Sequence, residues 1–166
     1  MSISKELAAH FRAVHFGGNW TSVNLKDTLE GVSWQQAVTP MPGLNSIAVL
    51  VFHMNYYVGA VLRVLRGGAL EASDKLSFGP PVITCAADWE ALVDRALSEA
   101  DAFAQAMEQL DDAQLEAPFL DGKYGSWYRN LAGIVEHTHY HLGQVSLLKK
   151  MTVLQAGPAA AVQSDS

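Results

Sequence analysis

Between Ile47 and Val64 the chain reads IAVLVFHMNYYVGAVLRV, its longest apolar stretch, and that stretch is interrupted by His53, Asn55 and Gly59, with Arg63 and Arg66 near its end. A span facing lipid would hold those polar groups in hydrocarbon at high cost. A helix buried in a soluble bundle accommodates them, because neighbouring helices supply partners. Apolar residues fall on almost every side of this helix, which places it at the centre of a domain. Asn45 or Ser46 is positioned to cap it, and Gly67-Gly68 closes it after about Leu65.

A central helix needs other helices to cover it, and the rest of the chain supplies them. Helical periodicity runs from about Ser4 to Phe16 through Leu7, Phe11 and Val14, and Gly17-Gly18 ends it. A short helical piece follows at Leu25 to Leu29. Two prolines in Thr39 to Gly43 break the chain before the central helix. After it, about twenty residues containing Gly79-Pro80-Pro81 read as a long crossover. A third helix spans about Asp88 to Leu110, with Trp89, Leu92, Ala96, Ala100, Phe103 and Met107 in its apolar stripe. Asp111 to Tyr124 reads as a connection, and a fourth helix runs from about Ser126 to Met151.

No window alternates with period two, so strands are not expected. The pattern predicts an all-α four-helix bundle with at least one long crossover. One domain is expected over residues 1–154. The tail 155–166 lacks large side chains worth burying and is expected to fray.

Composition narrows the function. Eleven Lys and Arg against seventeen Asp and Glu leave a net charge of −6 without clustered basic residues, which argues against nucleic-acid binding. The single Cys85 excludes an intramolecular disulfide and a multi-cysteine zinc cage. With no basic neighbour in sequence it reads as a bystander thiol. The N-terminal segment lacks a secretory pattern, so a cytoplasmic protein not associated with membranes is expected.

Six histidines remain as candidates for special chemistry. His137 and His141 stand one helical turn apart, at the edge of a stripe formed by Leu131, Ile134, Thr138, Val145 and Leu148. His139 points the other way, with Glu136, and is expected to face solvent. An i,i+4 pair of imidazoles can share one metal ion at ~2.0–2.1 Å, the geometry of HExxH proteases. Here Thr138 rather than Glu follows the first histidine, so the protease reading fails. On spacing alone, a pair of interior histidines hydrogen-bonded to their surroundings stands as the alternative. His53 adds a third imidazole on the central helix. It would complete a three-ligand site with an open position if the second and fourth helices are neighbours. His10 and His15, five residues apart, point in different directions and carry no functional assignment.

The segment His137-Thr138-His139-Tyr140-His141-Leu142-Gly143-Gln144 resembles the H-x-x-Y-H-x-G-Q motif of the DinB-like superfamily. Phe16-Gly17-Gly18-Asn19-Trp20 and the entry to the second helix at Ile47 to His53 resemble it as well, and the likeness covers roughly residues 4 to 150. The resemblance implies a four-helix bundle of unusual connectivity and one divalent metal, zinc or nickel, held by His53, His137 and His141. Many relatives carry a further histidine four residues before the first of the pair, where this chain has Gly133. Of the aromatics near the site-bearing helices, Tyr57 and then Trp20 are candidates for the substrate pocket. Gln144 is a candidate to orient a ligand histidine, and Gly143 to permit close helix approach.

The resemblance also implies a class of activity. Relatives include thiol-dependent S-transferases, so a metal-dependent enzyme that activates a small thiol is expected, ahead of one that activates water. The thiol would be a cosubstrate, since the chain has no suitable cysteine of its own. A stress-associated metal- or ligand-binding protein without turnover is the alternative, and a helical interaction module with structural histidines the third. The partners expected are a small-molecule substrate and a second copy in a homodimer.

Overall fold

The computed structural model describes residues 2–155. Among these it forms eight helices and no strand: α1 Ile3–Phe16, α2 Leu25–Leu29, α3 Trp34–Val38, α4 Ile47–Leu65, α5 Asp74–Ser77, α6 Ala86–Glu108, α7 Asp112–Glu116 and α8 Trp127–Gln155. The four long helices are those the periodicity predicts, with ends moved by at most four residues. The tail expected to fray lies outside the described residues, apart from Gln155, which closes α8.

Local chemistry accounts for the boundaries. Ser46 caps α4 by accepting from the Val49 N–H at 3.4 Å, and Asn24 caps α2 by accepting from the Asp27 N–H at 2.9 Å. The Asp88 carboxylate reaches back to the N–H groups of Thr84 at 2.8 Å and Cys85 at 3.2 Å at the start of α6. That contact holds it below the usual carboxylate range, the Thr84 backbone bond being the largest cause. The break at Thr39 to Gly43 is a turn in which Leu44 N–H donates to Met41 C=O at 3.0 Å. Three short helices, α3, α5 and α7, lie where the sequence reading places only connections. Each is one turn or little more, too short for a periodic pattern to register.

The long helices pack in a ring: α4 lies between α6 and α8, and α1 lies between α6 and α8 on the opposite side. Successive long helices α1 and α4 are therefore diagonal, as are α6 and α8, which departs from a simple up-down bundle. The segment from Gly17 to Ser46, carrying α2 and α3, makes the first diagonal crossing. It is pinned on the way: Trp89 Nε1 donates to Val32 C=O at 2.9 Å, and Gln36 Nε2 donates to Lys149 C=O at 3.0 Å.

Phe11, Met54, Phe103, Met107 and Leu131 are fully buried at the centre, and Phe11 meets Phe103 edge to face at 4.8 Å. Each such side chain contributes about 1.5–3 kcal/mol relative to exposure. Helix α4 is long and apolar enough to cross a membrane by length and composition, but 67% of that stretch is buried inside the protein. Its apolar faces are covered by α6 and α8.

Candidate metal centre

His53 sits near the middle of α4, and the packing of α4 against α8 turns it toward His137 and His141. The nearest ring nitrogens, Nε2 of His53 and Nε2 of His137, are 3.0 Å apart across 84 residues of sequence. The rings of His137 and His141 are 4.6 Å apart, and those of His53 and His141 4.8 Å. One nitrogen from each of the three lies within 4.8 Å of the other two. His53 and His141 are buried and His137 is half-buried.

The tautomers of two histidines follow from their neighbours. Ser77 Oγ donates its single proton to Asp74 C=O at 2.8 Å, so toward His53 Nδ1, at 2.9 Å, it accepts. His53 therefore carries its proton on Nδ1 and its lone pair on Nε2. Likewise Gln144 Oε1 accepts from His141 Nδ1–H at 2.6 Å, leaving the His141 lone pair on Nε2. His137 Nδ1 is buried without a partner. Burial, and then the neighbouring His141 and His53, push the His137 pKa down to about 4. His53 is lowered as well, chiefly by burial. Neutral imidazoles with inward lone pairs are the form that binds a metal.

A tetrahedral site with ligands at ~2.0–2.1 Å places its nitrogens about 3.3 Å apart. The His53–His137 spacing of 3.0 Å is close to this, and the 4.8 Å limit on the set asks only a small inward movement of one ring. The residues fit a divalent ion: three imidazoles converge, and two of them are held in register by Ser77 and Gln144 with Nε2 left free for a ligand.

The triad forms the floor of a cleft of about 760 Å³, whose walls include Tyr57, Asp74, Phe78, Lys123, Arg129 and Glu136. Tyr57 stands edge-on to His53 at 5.3 Å and to His137 at 5.2 Å, and its hydroxyl donates to Asp74 Oδ1. Burial, and then that bond to Asp74, raise the Tyr57 pKa. Phe78 stacks on His53 with ring centres 3.9 Å apart. Gly133 also borders the cleft, and a side chain there would meet open space. The position at which many relatives carry another histidine is thus part of the opening.

Gln144 bonds His141 from behind, and Tyr57 borders the histidine cleft. Trp20 does not. It is 99% exposed in the loop after α1 and borders a separate depression with His10 and Tyr128. Gly17 and Gly18, both at positive φ, begin that loop, and no element among the described residues covers the indole. His139 needs correction too. It is turned away from the triad as its phase requires, but it is half-buried rather than solvent-facing. The ring lies 6.1 Å from His10, and its Nε2 is buried without a partner. At His139 the outer side of α8 lies against α1, while Glu136, Gly143 and Lys150 on that side are exposed. Glu136 remains exposed yet borders the cleft, and Gly143 has open space rather than a neighbouring helix at its Cα. His15 is a core residue whose Nδ1 is 3.0 Å from Phe11 C=O, and Cys85 is exposed.

Sequence reasoning missed Asp74, Ser77 and Phe78, all in or beside the one-turn helix α5. The Ser73-Asp74 pair is a faint helix-start signal, but nothing local shows that this turn packs over His53.

Comparison with curated proteins and with solved structures finds no match. A family model described as DinB superfamily matches residues 20–145, a segment that includes all three histidines. With that match over most of its length and an all-helical fold to accompany it, the chain belongs to the DinB superfamily.

Proposed function

We propose that His53, His137 and His141 hold one divalent ion through their Nε2 atoms, and that the protein is an enzyme activating a small thiol in the adjoining cleft. The observation that carries this reading is the pair of hydrogen bonds from Nδ1–H of His53 to Ser77 and of His141 to Gln144. They turn two lone pairs toward His137 before any ion arrives. Imidazole sets suit zinc and nickel. Such an ion, when bound, favours the deprotonated form of a thiol or water placed beside it.

The chain's own residues divide the remaining work. Asp74, which accepts from Tyr57, is one of two carboxylates on the cleft wall, with Glu136, and the candidate proton acceptor. Tyr57 orients it and walls the pocket against His53. Lys123 and Arg129 offer positive charge to an acidic substrate or cosubstrate. Phe78 screens the His53 ring from water. Activation of water for hydrolysis uses the same open face, and thiol transfer stands ahead of it because the superfamily includes thiol-dependent enzymes.

Metal analysis of tag-free protein should find about one divalent ion per chain, lost in the alanine variants of His53, His137 and His141. Metal-loaded protein is then screened with small thiols and a chromogenic electrophile. Turnover that disappears with the triad supports the enzyme. Triad-dependent binding without turnover would replace it by a non-catalytic metal- or ligand-binding protein.

A further inference from the structure

We infer that the outer face of α8 is a dimer interface, on which the helix packs antiparallel against the same helix of a second copy, about a two-fold axis at Gly143. Glu136, Tyr140, Gly143, Leu147 and Lys150 follow one another at alternating steps of four and three residues. That is the heptad spacing of helices that pack along their length. The five positions lie on one side of α8, opposite the buried stripe of Leu131, Thr138 and Val145.

All five are exposed in the single chain. Two are large and carry apolar surface: Tyr140 is 65% exposed and Leu147 57%. Gly143 lies between them, and a Cβ there would meet nothing within 4 Å. Glycine weakens a helix interior, and the packing of this chain on itself does not call for one at that position. A bare Cα instead admits the backbone of a second helix, with Tyr140 and Leu147 on either side to fill the contact.

Charge identifies the occupant and its direction. Glu136 and Lys150 each stand seven residues from Gly143, about 10 Å along the axis in opposite directions. Neither takes part in an ion pair among the described residues. Antiparallel packing about Gly143 sets Glu136 opposite Lys150 of the partner subunit, twice, and Tyr140 against the partner's Leu147. Parallel packing would set like charges opposite each other at both ends. Unlike charges at equal distances from the midpoint make the face complementary to itself, which is what an isologous contact requires.

The dimer also reaches the histidine cleft. Glu136 and Tyr140 belong to its wall. Lys150 of the partner subunit therefore comes to the rim beside Glu136, and each cleft is bordered by both chains. This holds whether or not the triad carries an ion.

Sedimentation equilibrium of the full chain tests the interface. One helix pair buries less than the roughly 1,600 Å² of a standard interface, so a dissociation constant on the order of micromolar is expected. Leu147→Asp, at a position exposed in the single chain, should weaken the dimer at least about tenfold with helicity unchanged. Glu136→Lys and Lys150→Glu should each weaken it about tenfold, because each sets like charges opposite twice. The double exchange should restore the wild-type constant. A chain that stays monomeric up to about 1 mM would overturn the interface. So would a dimer indifferent to Leu147→Asp, or a double exchange no tighter than the single ones.

Discussion

His53 and His137 present their Nε2 atoms to each other at 3.0 Å from two different helices. Since Ser77 holds the His53 proton on Nδ1, the only partner His53 Nε2 has in the absence of an ion is a proton on His137. That arrangement leaves His137 Nδ1 as a buried bare acceptor. An ion held by both rings would take the place of that proton, which would pass to His137 Nδ1 or to solvent.

Removal of an ion proposed to be held by the triad is expected to loosen the bundle. An ion that binds the folded chain alone stabilises it by about 2.7 kcal/mol at a free concentration one hundred times Kd. Dialysis against a chelator should lower the melting temperature, and re-addition of zinc or nickel should restore it. A melting curve indifferent to both treatments would contradict an ion bridging α4 and α8.

Ser77→Ala should weaken metal binding by about 10–100-fold while the fold persists. The serine reaches the site through the proton on His53, so a competition titration with a chromogenic chelator is the relevant measurement. Gln144→Leu should act similarly through His141. His139→Ala should leave metal content unchanged, because that ring is turned to α1.

His15 makes stability depend on pH independently of the metal. Burial chiefly lowers its pKa, from 6.5 to about 4. The unfolded chain takes up a proton at His15 below pH 6.5 that the folded chain refuses until about pH 4, so stability falls as pH falls across that window. The loss amounts to about 2 kcal/mol by pH 5. Urea unfolding of the wild type and of His15→Leu at pH 7 and pH 5 should show a smaller acid loss in the variant. Equal losses would place no titration at His15.

Phe103→Ala removes the ring that meets Phe11 between α1 and α6. A cavity at that fully buried position should cost about 3–5 kcal/mol, read as a lower urea midpoint with an unchanged slope. A loss below 1 kcal/mol would mean that the core collapses around the gap.

Much of the architecture is legible in local sequence. The limits of α4 follow from Ser46 and Gly67, and the common phase of His137 and His141 follows from their spacing of one turn. Both are decided within a few residues, by caps and by helical period. Gln144 is legible for the same reason, being on the next turn from His141. Trp20 and His139 mislead because exposure depends on which element covers a face, and periodicity within one helix does not report that.

The sequence by itself determined an all-helical chain with four long helices, two histidines on one face and a third in the most apolar helix. Only the tertiary structure decided that α4 neighbours α8, which brings His53 to His137 across 84 residues. It alone placed Ser77 and Asp74 over the site and left Trp20 in solvent. The physical reason is one of range. Capping and periodicity act between residues one or two turns apart, whereas the choice of neighbouring helix comes from burying the apolar faces of all the helices together.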